Sequence, residues 1–225
     1  MKKKGFSVVR AFDTIAEEWN EKHSQRRAWV PLFERFLGEN DVLLDAGCGN
    51  GINSIALAPF VKKVFAFDAS PKMVSYAKKN VSQAGLGKKI TVRKASVLNV
   101  PYKNSFFNAA AYFAVVHHFF KPNEWAKIFS EMNRVLKKGG LAFVTVWNKF
   151  NAAEMERLGH RNMMVNFVKK TGEKVPRMHH FFTEEELVEL AKKHGFEINE
   201  KFYEKSGKRV AKEKGKNLCL VLQKL

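Results

Sequence analysis

A short run of acidic and glycine residues carries the clearest chemical signal in the sequence. Here the apolar residues 42–44 lead into Asp45, Gly47, Gly49 and Gly51. Such a run is typical of a buried parallel strand that turns into a helix. The glycines let the backbone turn sharply and approach a ligand closely, because no Cβ stands in the way. The segment therefore predicts a nucleotide-binding turn.

A second acidic residue, Asp68, indicates which nucleotide the turn binds. It ends another apolar run, about 20 residues further on, where nucleotide-binding folds place a carboxylate against ribose hydroxyls. The third glycine of a dinucleotide site is replaced by Ile52, and no Lys-Ser or Lys-Thr pair follows as in a P-loop. The spacing therefore argues against a dinucleotide site and against a P-loop.

The charge balance points to a polyanionic partner. Forty Lys and Arg residues stand against 22 Asp and Glu, which leaves a net charge of +18. Such an excess attracts nucleic acid, although a lysine-rich proteome is the alternative explanation. Cys48 and Cys219 form no disulfide framework and no zinc-ligand spacing, so no metal site is predicted and a reducing compartment is expected. With no secretory signal and no apolar run long enough to span a bilayer, we expect a cytoplasmic protein without a membrane partner.

The elements that must position these residues alternate along the chain. From Asp41 onward, strands alternate with amphipathic helices, which predicts an α/β fold with a mostly parallel seven-stranded sheet and helices on both faces. The last two strands, around 196–203 and 218–222, are separated by too few residues for a crossover helix and should pair as an antiparallel hairpin. The whole chain, 1–225, is predicted to be a single domain. It divides into N-terminal helices (1–40), a cofactor-binding core (41–148), a lid or substrate insertion (149–182), and a final helix with antiparallel strands (183–225).

Three further expectations concern a helix end, the lid and the tryptophans. The helix that contains Trp125 and Leu136 is expected to end at Gly139-Gly140. The segment 149–182 is longer than a usual connection and contains apolar anchors, which favours an ordered lid over a disordered loop. Three tryptophans in amphipathic stripes are expected in the core: Trp19, Trp29 and Trp125.

Several segments together resemble a known family. The glycine turn, the block 106–119 and the block 134–140 look like the central half of class I (Rossmann-like) S-adenosylmethionine-dependent methyltransferases. Within that class, His23-Ser24-Gln25-Arg26 and the segment 175–182 resemble the tRNA wobble-uridine carboxymethyl (carboxyl) methyltransferases, and the final strand from Lys216 also fits. The resemblance covers nearly the whole chain, and its methyltransferase motifs are more specific than its tRNA motifs.

The resemblance implies a fold, a cofactor, a reaction and partners. It implies a Rossmann-like methyltransferase fold that binds S-adenosylmethionine. The family transfers a methyl group to the carboxylate of a carboxymethylated wobble uridine in tRNA, and its best-known members require a small zinc-binding activator subunit. The residues expected to bind the cofactor are Arg26, Asp45, Gly47, Cys48, Gly49, Asn50, Gly51, Asp68, Ala69, Ser96, Val97, Phe113 and Ala114.

A carboxylate acceptor sets specific demands on the substrate site. It is already deprotonated at neutral pH, so it needs no general base, only cations that orient it. We expect the substrate to be held by Arg27, Arg161, Arg177 and His180. Candidate catalytic residues are His118, Arg177 and His180.

The sequence also departs from the family pattern and leaves other functions open. Ser96 and Asn108 stand where many relatives have aspartates, and Met178-His179 replaces an aromatic pair. One alternative is a small-molecule methyltransferase, acting for example on a quinone, whose positive charge is incidental. Another is a non-catalytic subunit that binds RNA or a protein partner.

Overall fold

A computed structural model of the chain describes residues 7–25, 28–148 and 161–225. The strands are β1 (Val42–Ala46), β2 (Lys63–Asp68), β3 (Ile90–Lys94), β4 (Phe107–Phe113), β5 (Leu136–Trp147), β6 (Asn162–Val168), β7 (Lys174–His180), β8 (Phe196–Lys205), β9 (Lys208–Val210) and β10 (Asn217–Lys224). The α-helices are α1 (Val8–Lys22), α2 (Pro31–Glu34), α3 (Ile52–Leu57), α4 (Pro71–Gln83), α5 (Pro122–Val135) and α6 (Glu184–Lys193).

The main sheet has the order β3-β2-β1-β4-β5-β10-β8-β9. Neighbours from β3 to β5 pair in parallel, whereas β10 runs antiparallel to both β5 and β8. The predicted Rossmann-like sheet with a final antiparallel hairpin is therefore confirmed. An eighth strand, the short β9, forms in the lysine-rich connection and pairs with β8. The strand order reverses at β1, because β2 and β3 follow on one side of it and β4 and β5 on the other. This reversal opens a crevice at the carboxyl ends of β1 and β4.

Apolar side chains on both faces of the central strands form the core. Leu44 and Tyr112 pack into the cluster on one face, and Leu43 and Ala111 pack into the cluster on the other. A strand that is buried on both sides has no polar face, which explains the continuous apolar runs seen in the sequence. No helix in the described ranges combines the length and the apolar character needed to cross a bilayer.

The expectation that α5 extends to Gly139-Gly140 is wrong. The helix ends at Val135, and Leu136 begins β5 by pairing with Phe107. The backbone of Gly139 has a φ of +73°, a conformation that favours glycine. The glycine pair thus lies near the start of β5, because residues from Leu136 onward pair with β4 instead of continuing the helix.

The segment 162–180 folds as a β-hairpin of β6 and β7, which form a separate two-stranded sheet. Phe167 and Val175 of this hairpin pack against Ala11 and Ile15 of α1. The part of the lid that the structure describes is therefore ordered by an apolar contact with the N-terminal helix. Residues 149–160 of the predicted lid lie outside the described residues.

Glu131 of α5 fixes the loop that follows β3. Its carboxylate accepts hydrogen bonds from Val100 N (2.7 Å) and from Nε and Nη2 of Arg134 (2.9 and 2.8 Å). Arg134 also donates to the carbonyl oxygens of Val100 and Tyr102. Hydrogen bonding to Arg134, together with that from Val100, lowers the pKa of Glu131 to about 2. The cluster anchors α5 to a loop whose earlier residues, Ser96 and Val97, line the cavity described below.

We expect Glu131→Gln to destabilise the protein in a pH-dependent way. Because the pKa in the folded state is lowered to about 2 from 4.5, the ionised carboxylate stabilises the fold above pH 4.5 and loses this contribution as the pH falls towards 2. The loss at pH 7 should be about 2–3 kcal/mol in the free energy of unfolding. Urea denaturation between pH 7 and pH 3 measures it, with exposed Glu39→Gln as the control. A difference between wild type and variant that does not shrink on acidification would contradict this assignment.

Candidate active site

One cavity of about 1110 Å³ lies at the carboxyl ends of β1, β2 and β4. The glycine turn and the loops after β2 and β3 form one wall. The opposite wall comes from α1 and the β6–β7 hairpin, through Phe12, Trp19, Phe167 and Arg177. In open α/β sheets this is the place where ligands bind, because the strand order reverses here.

The glycine turn is held against the end of β2 by backbone hydrogen bonds. The N–H groups of Gly47 and Cys48 both donate to the carbonyl oxygen of Phe67, at 2.8 and 2.9 Å. A Cβ on Gly47 would lie 2.6 Å from the side chain of Val115, and the φ of Gly47 is +74°. Both the close approach and the backbone conformation therefore require glycine at this position.

Asp68 at the end of β2 is bound to the same turn. Its Oδ2 accepts from Gly49 N (2.9 Å) and its Oδ1 accepts from Ser70 N (2.8 Å). Burial raises the pKa of Asp68, and these two backbone hydrogen bonds partly offset the rise. The carboxylate lines the cavity in the position from which ribose hydroxyls are bound in nucleotide-binding folds.

Asp45 and Gly51 support the turn from behind and do not line the cavity. Asp45 is buried and accepts a 2.5 Å hydrogen bond from Ser54 Oγ, while burial raises its pKa to about 6. A Cβ on Gly51 would lie 3.1 Å from Cβ of Ala77 in α4. In this structure both residues pack behind the turn, and the direct cofactor contacts expected for them stay predictions.

Most of the other predicted cofactor residues do meet at the cavity. Asn50 Nδ2 donates to the carbonyl oxygen of His23 (2.9 Å), which ties the turn to the segment after α1. Arg26 lies outside the described residues. The predicted residues that line the cavity are Gly47, Cys48, Gly49, Asn50, Asp68, Ala69, Ser96, Val97, Phe113 and Ala114.

Arg177 places a positive charge at the other end of the cavity. It is 5% exposed, and its Cζ lies 5.4–5.9 Å from the centroids of four aromatic rings. A guanidinium keeps its proton at neutral pH, and aromatic faces attract it. The rings belong to Phe12, Trp19, Trp147 and Phe167.

Two histidines line the cavity near Arg177. His118 lies with its Nδ1 3.5 Å from the carbonyl oxygen of Met178. Burial and the nearby charge of Arg177 lower the pKa of His118 to about 3, and burial lowers the pKa of His117 well below its usual value. Both side chains are therefore neutral at pH 7. A third buried histidine, His179, packs against them, and the sequence analysis gave it no role.

The structure does not bring the remaining substrate candidates to the cavity. The ring nitrogens of His180 lie 2.7 Å from Asn162 Oδ1 and 3.1 Å from Glu186 Oε1. Arg161 is paired with the same glutamate at 3.0 Å. These contacts attach the hairpin to α6, so His180 and Arg161 have a structural role here. Arg27 lies outside the described residues.

The tryptophans are also distributed differently from the expectation. Trp125 is buried in the core, as expected. Trp19 and Trp29 are only partly buried and line the cavity. Amphipathic periodicity identified the inward face of their segments, but it could not distinguish a solid core from a cavity wall.

Comparison with known proteins places methyltransferases among the similar sequences. A family model described as a methyltransferase domain matches residues 44–144. A tRNA (carboxymethyluridine(34)-5-O)-methyltransferase of Arabidopsis thaliana is 33% identical over 149 residues, which cover 66% of this chain and 33% of that protein. A ubiquinone biosynthesis O-methyltransferase of Pelagibacter ubique is 28% identical over 160 residues, which cover 63% of this chain and 64% of that protein. The chain thus spans about a third of the plant relative and under two thirds of the bacterial one.

Solved structures show the same architecture. A SAM-dependent methyltransferase from Methanosarcina mazei superposes with a TM-score of 0.71 at 22% identity, over 87% of this chain and 97% of that one. A chain of the complex between the Haloferax volcanii Trm112 methyltransferase activator and a methyltransferase superposes with a TM-score of 0.71 at 15% identity, over 96% of this chain and 97% of that one.

This is the Rossmann-like methyltransferase fold, and S-adenosylmethionine is its cofactor. Within the methyltransferase fold, the turn and Asp68 form the half of the cavity suited to the nucleoside. Arg177, His117 and His118 line the other half of the cavity.

We expect Asp68→Asn to weaken S-adenosylmethionine binding about tenfold to a hundredfold at pH 7.5, because hydrogen bonds to a charged acceptor contribute about 1.5–3 kcal/mol. Since burial raises the pKa of Asp68, wild-type affinity should also fall on mild acidification, whereas that of the variant should stay flat. Isothermal titration calorimetry measures both, with Glu39→Gln as the control. Unchanged affinity in Asp68→Asn would show that the carboxylate does not hold the ribose.

Proposed function

We propose that this protein transfers the methyl group of S-adenosylmethionine to the carboxylate of a carboxymethylated wobble uridine in tRNA, forming a methyl ester. The observation that carries the proposal is the buried guanidinium of Arg177 at the acceptor end of the cavity. A fixed cation in an apolar box suits an anionic acceptor. It suits a neutral phenol or a cationic amine poorly.

The residues at this end support transfer to a carboxylate. Methyl transfer from a sulfonium is an in-line displacement, so correct alignment of nucleophile and methyl group supplies much of the rate. Arg177 can hold one carboxylate in a bidentate geometry, and the aromatic rings around it restrict its movement. Because the acceptor is already ionised, the neutral His117 and His118 need not act as bases.

The surface beside the cavity supports a polyanionic substrate. Five lysines lie between the last residue of β8 and the first residue of β10, counting the end of β8 itself. All of them are exposed, and none forms an ion pair within 4.0 Å among the described residues. Lys216 also lines the cavity, so this surface leads to its mouth. Unpaired cations bind phosphates with release of counterions. The residues are Lys205, Lys208, Lys212, Lys214 and Lys216.

The relatives fit the same proposal and suggest a partner and a second candidate. The plant relative is named as a tRNA wobble-uridine enzyme, and the archaeal neighbour is bound to a methyltransferase activator. We therefore include a small zinc-binding activator subunit as a proposed partner. The relative from ubiquinone biosynthesis favours a small-molecule acceptor as the second candidate function.

The direct test incubates the protein with labelled S-adenosylmethionine and bulk tRNA, with and without an activator subunit, and digests the tRNA to nucleosides. We expect label in a base-labile methyl ester. Arg177→Lys should lower kcat/KM at least tenfold, because the bidentate contact is lost, while S-adenosylmethionine affinity changes little. Arg209→Lys, at a surface ion pair with Glu200, is the matched control. Label in a stable ring or ribose methyl group, or only in an added quinone, would exclude the proposed reaction.

We also expect the lysines to govern tRNA affinity. Replacing Lys208, Lys212 and Lys214 with alanine should weaken tRNA binding and reduce the salt slope by up to about 0.9 for each lost phosphate contact. A triple alanine variant of Lys78, Lys79 and Lys88 removes the same charge from another exposed surface. Filter binding at several salt concentrations compares the two. Equal losses in both variants would mean that binding follows net charge alone and that this surface has no special role.

A further inference from the structure

Three buried histidines from distant parts of the chain meet beside the cavity. His117 and His118 lie in the 3-10 turn after β4, and His179 lies on β7; none is more than 8% exposed. Their ring centroids are separated by 4.4 Å (117 to 118), 4.6 Å (118 to 179) and 5.0 Å (117 to 179). One ring nitrogen of each lies within 4.8 Å of those of the other two.

This spacing is close to that of a three-histidine metal site. Imidazole nitrogens bound tetrahedrally at about 2.0–2.1 Å from an ion place the ring centroids about 5 Å apart and the nitrogens about 3.4 Å apart. The observed centroid separations, 4.4–5.0 Å, are equal to the first value or slightly below it. The rings of His117 and His179 are nearly parallel, at 18°, so the side chains would have to rotate to direct three nitrogens at one ion.

The state of the histidines also suits metal binding. Neither ring nitrogen of His117 has a hydrogen-bond partner among the described residues, although the residue is only 1% exposed. An unsatisfied polar atom in the interior costs free energy that a bound ion would recover.

We propose that His117, His118 and His179 form a binding site for a divalent transition-metal ion, with Zn²⁺ as the expected occupant. Three imidazoles with a fourth position left open is a ligand set of catalytic zinc sites, and imidazole nitrogen suits zinc. Because His117 and His118 line the cavity, the fourth position opens towards the acceptor. The site does not depend on which acceptor the protein methylates.

Arg177 determines what the fourth ligand must be. Its charge acts on both His117 and His118, so a dication at the trio would add to an existing positive charge. An anion at the fourth position offsets this repulsion. Hydroxide or a carboxylate meets that need, and both are good zinc ligands.

The test uses the full chain with any affinity tag removed and its metal stripped by a chelator. Zinc is returned by competition titration and counted by elemental analysis. We expect one Zn²⁺ per chain and an X-ray absorption spectrum that shows three imidazole nitrogens at about 2.0–2.1 Å. His179→Gln and His118→Gln should each weaken zinc binding at least tenfold. His194→Gln, outside the trio, should not.

Circular dichroism and the midpoint of thermal unfolding check that each variant is folded. Less than about 0.1 Zn²⁺ per folded wild-type chain, far below the single ion of a structural or catalytic site, would overturn the proposal. Equal zinc uptake in His179→Gln, or sulfur ligands from Cys48 or Cys219 in the absorption spectrum, would overturn it as well. If both variants fail to fold, the X-ray absorption spectrum of the wild-type protein with zinc decides whether the ligands are three imidazole nitrogens. The methyl-ester assay is independent of these results, so failure of one proposal is distinguishable from failure of the other.

Discussion

The hydrogen bonds between the glycine turn and the end of β2 are the constraint on which the rest of the site depends. Two successive N–H groups of the turn share the carbonyl oxygen of Phe67, and a third, from Gly49, binds the carboxylate of Asp68. This arrangement joins the ends of β1 and β2 at the crevice edge of the sheet. The carboxylate of Asp68 still lines the cavity, and Gly47 has no side chain that would block a ligand from approaching it. The cofactor half of the site follows from backbone geometry that only glycine permits here.

The acceptor half has a different origin. It is built by the β6–β7 hairpin, which lies outside the main sheet and is held by apolar contacts with α1. Arg177 reaches the cavity from that hairpin, within a box of aromatic rings contributed by α1, β5 and β6. The two halves therefore rest on separate elements. Under the proposed function, a change of acceptor specificity could arise in the hairpin without disturbing the turn. The plant and Pelagibacter relatives differ in the substrate that their names give.

The cofactor half could be predicted from sequence because local pattern determines it. The apolar runs, the glycine spacing and Asp68 predicted the sheet and the turn at its crevice, and the family resemblance added the residues expected after the other strands, such as Ser96 and Phe113. The acceptor half was harder, because the sequence analysis treated 149–182 as a lid without assigning strands. On a strand, Arg177 and His179 share one face while His180 points to the other. The structure has this alternation, because Arg177 and His179 both lie against Trp147, whereas His180 contacts Trp125 and Glu186. A two-residue period in that segment was the missed signal, and it would have favoured His179 over His180.

The most direct test of this account is a crystal structure of the protein with S-adenosylhomocysteine. We expect ribose hydroxyls within hydrogen-bonding distance of Asp68 and a sulfur atom that faces the space between His118 and Arg177. The homocysteine carboxylate should lie elsewhere, near the segment that follows α1. A structure in which Arg177 binds the homocysteine carboxylate would contradict the account, because the buried cation would then belong to the cofactor and not to the acceptor.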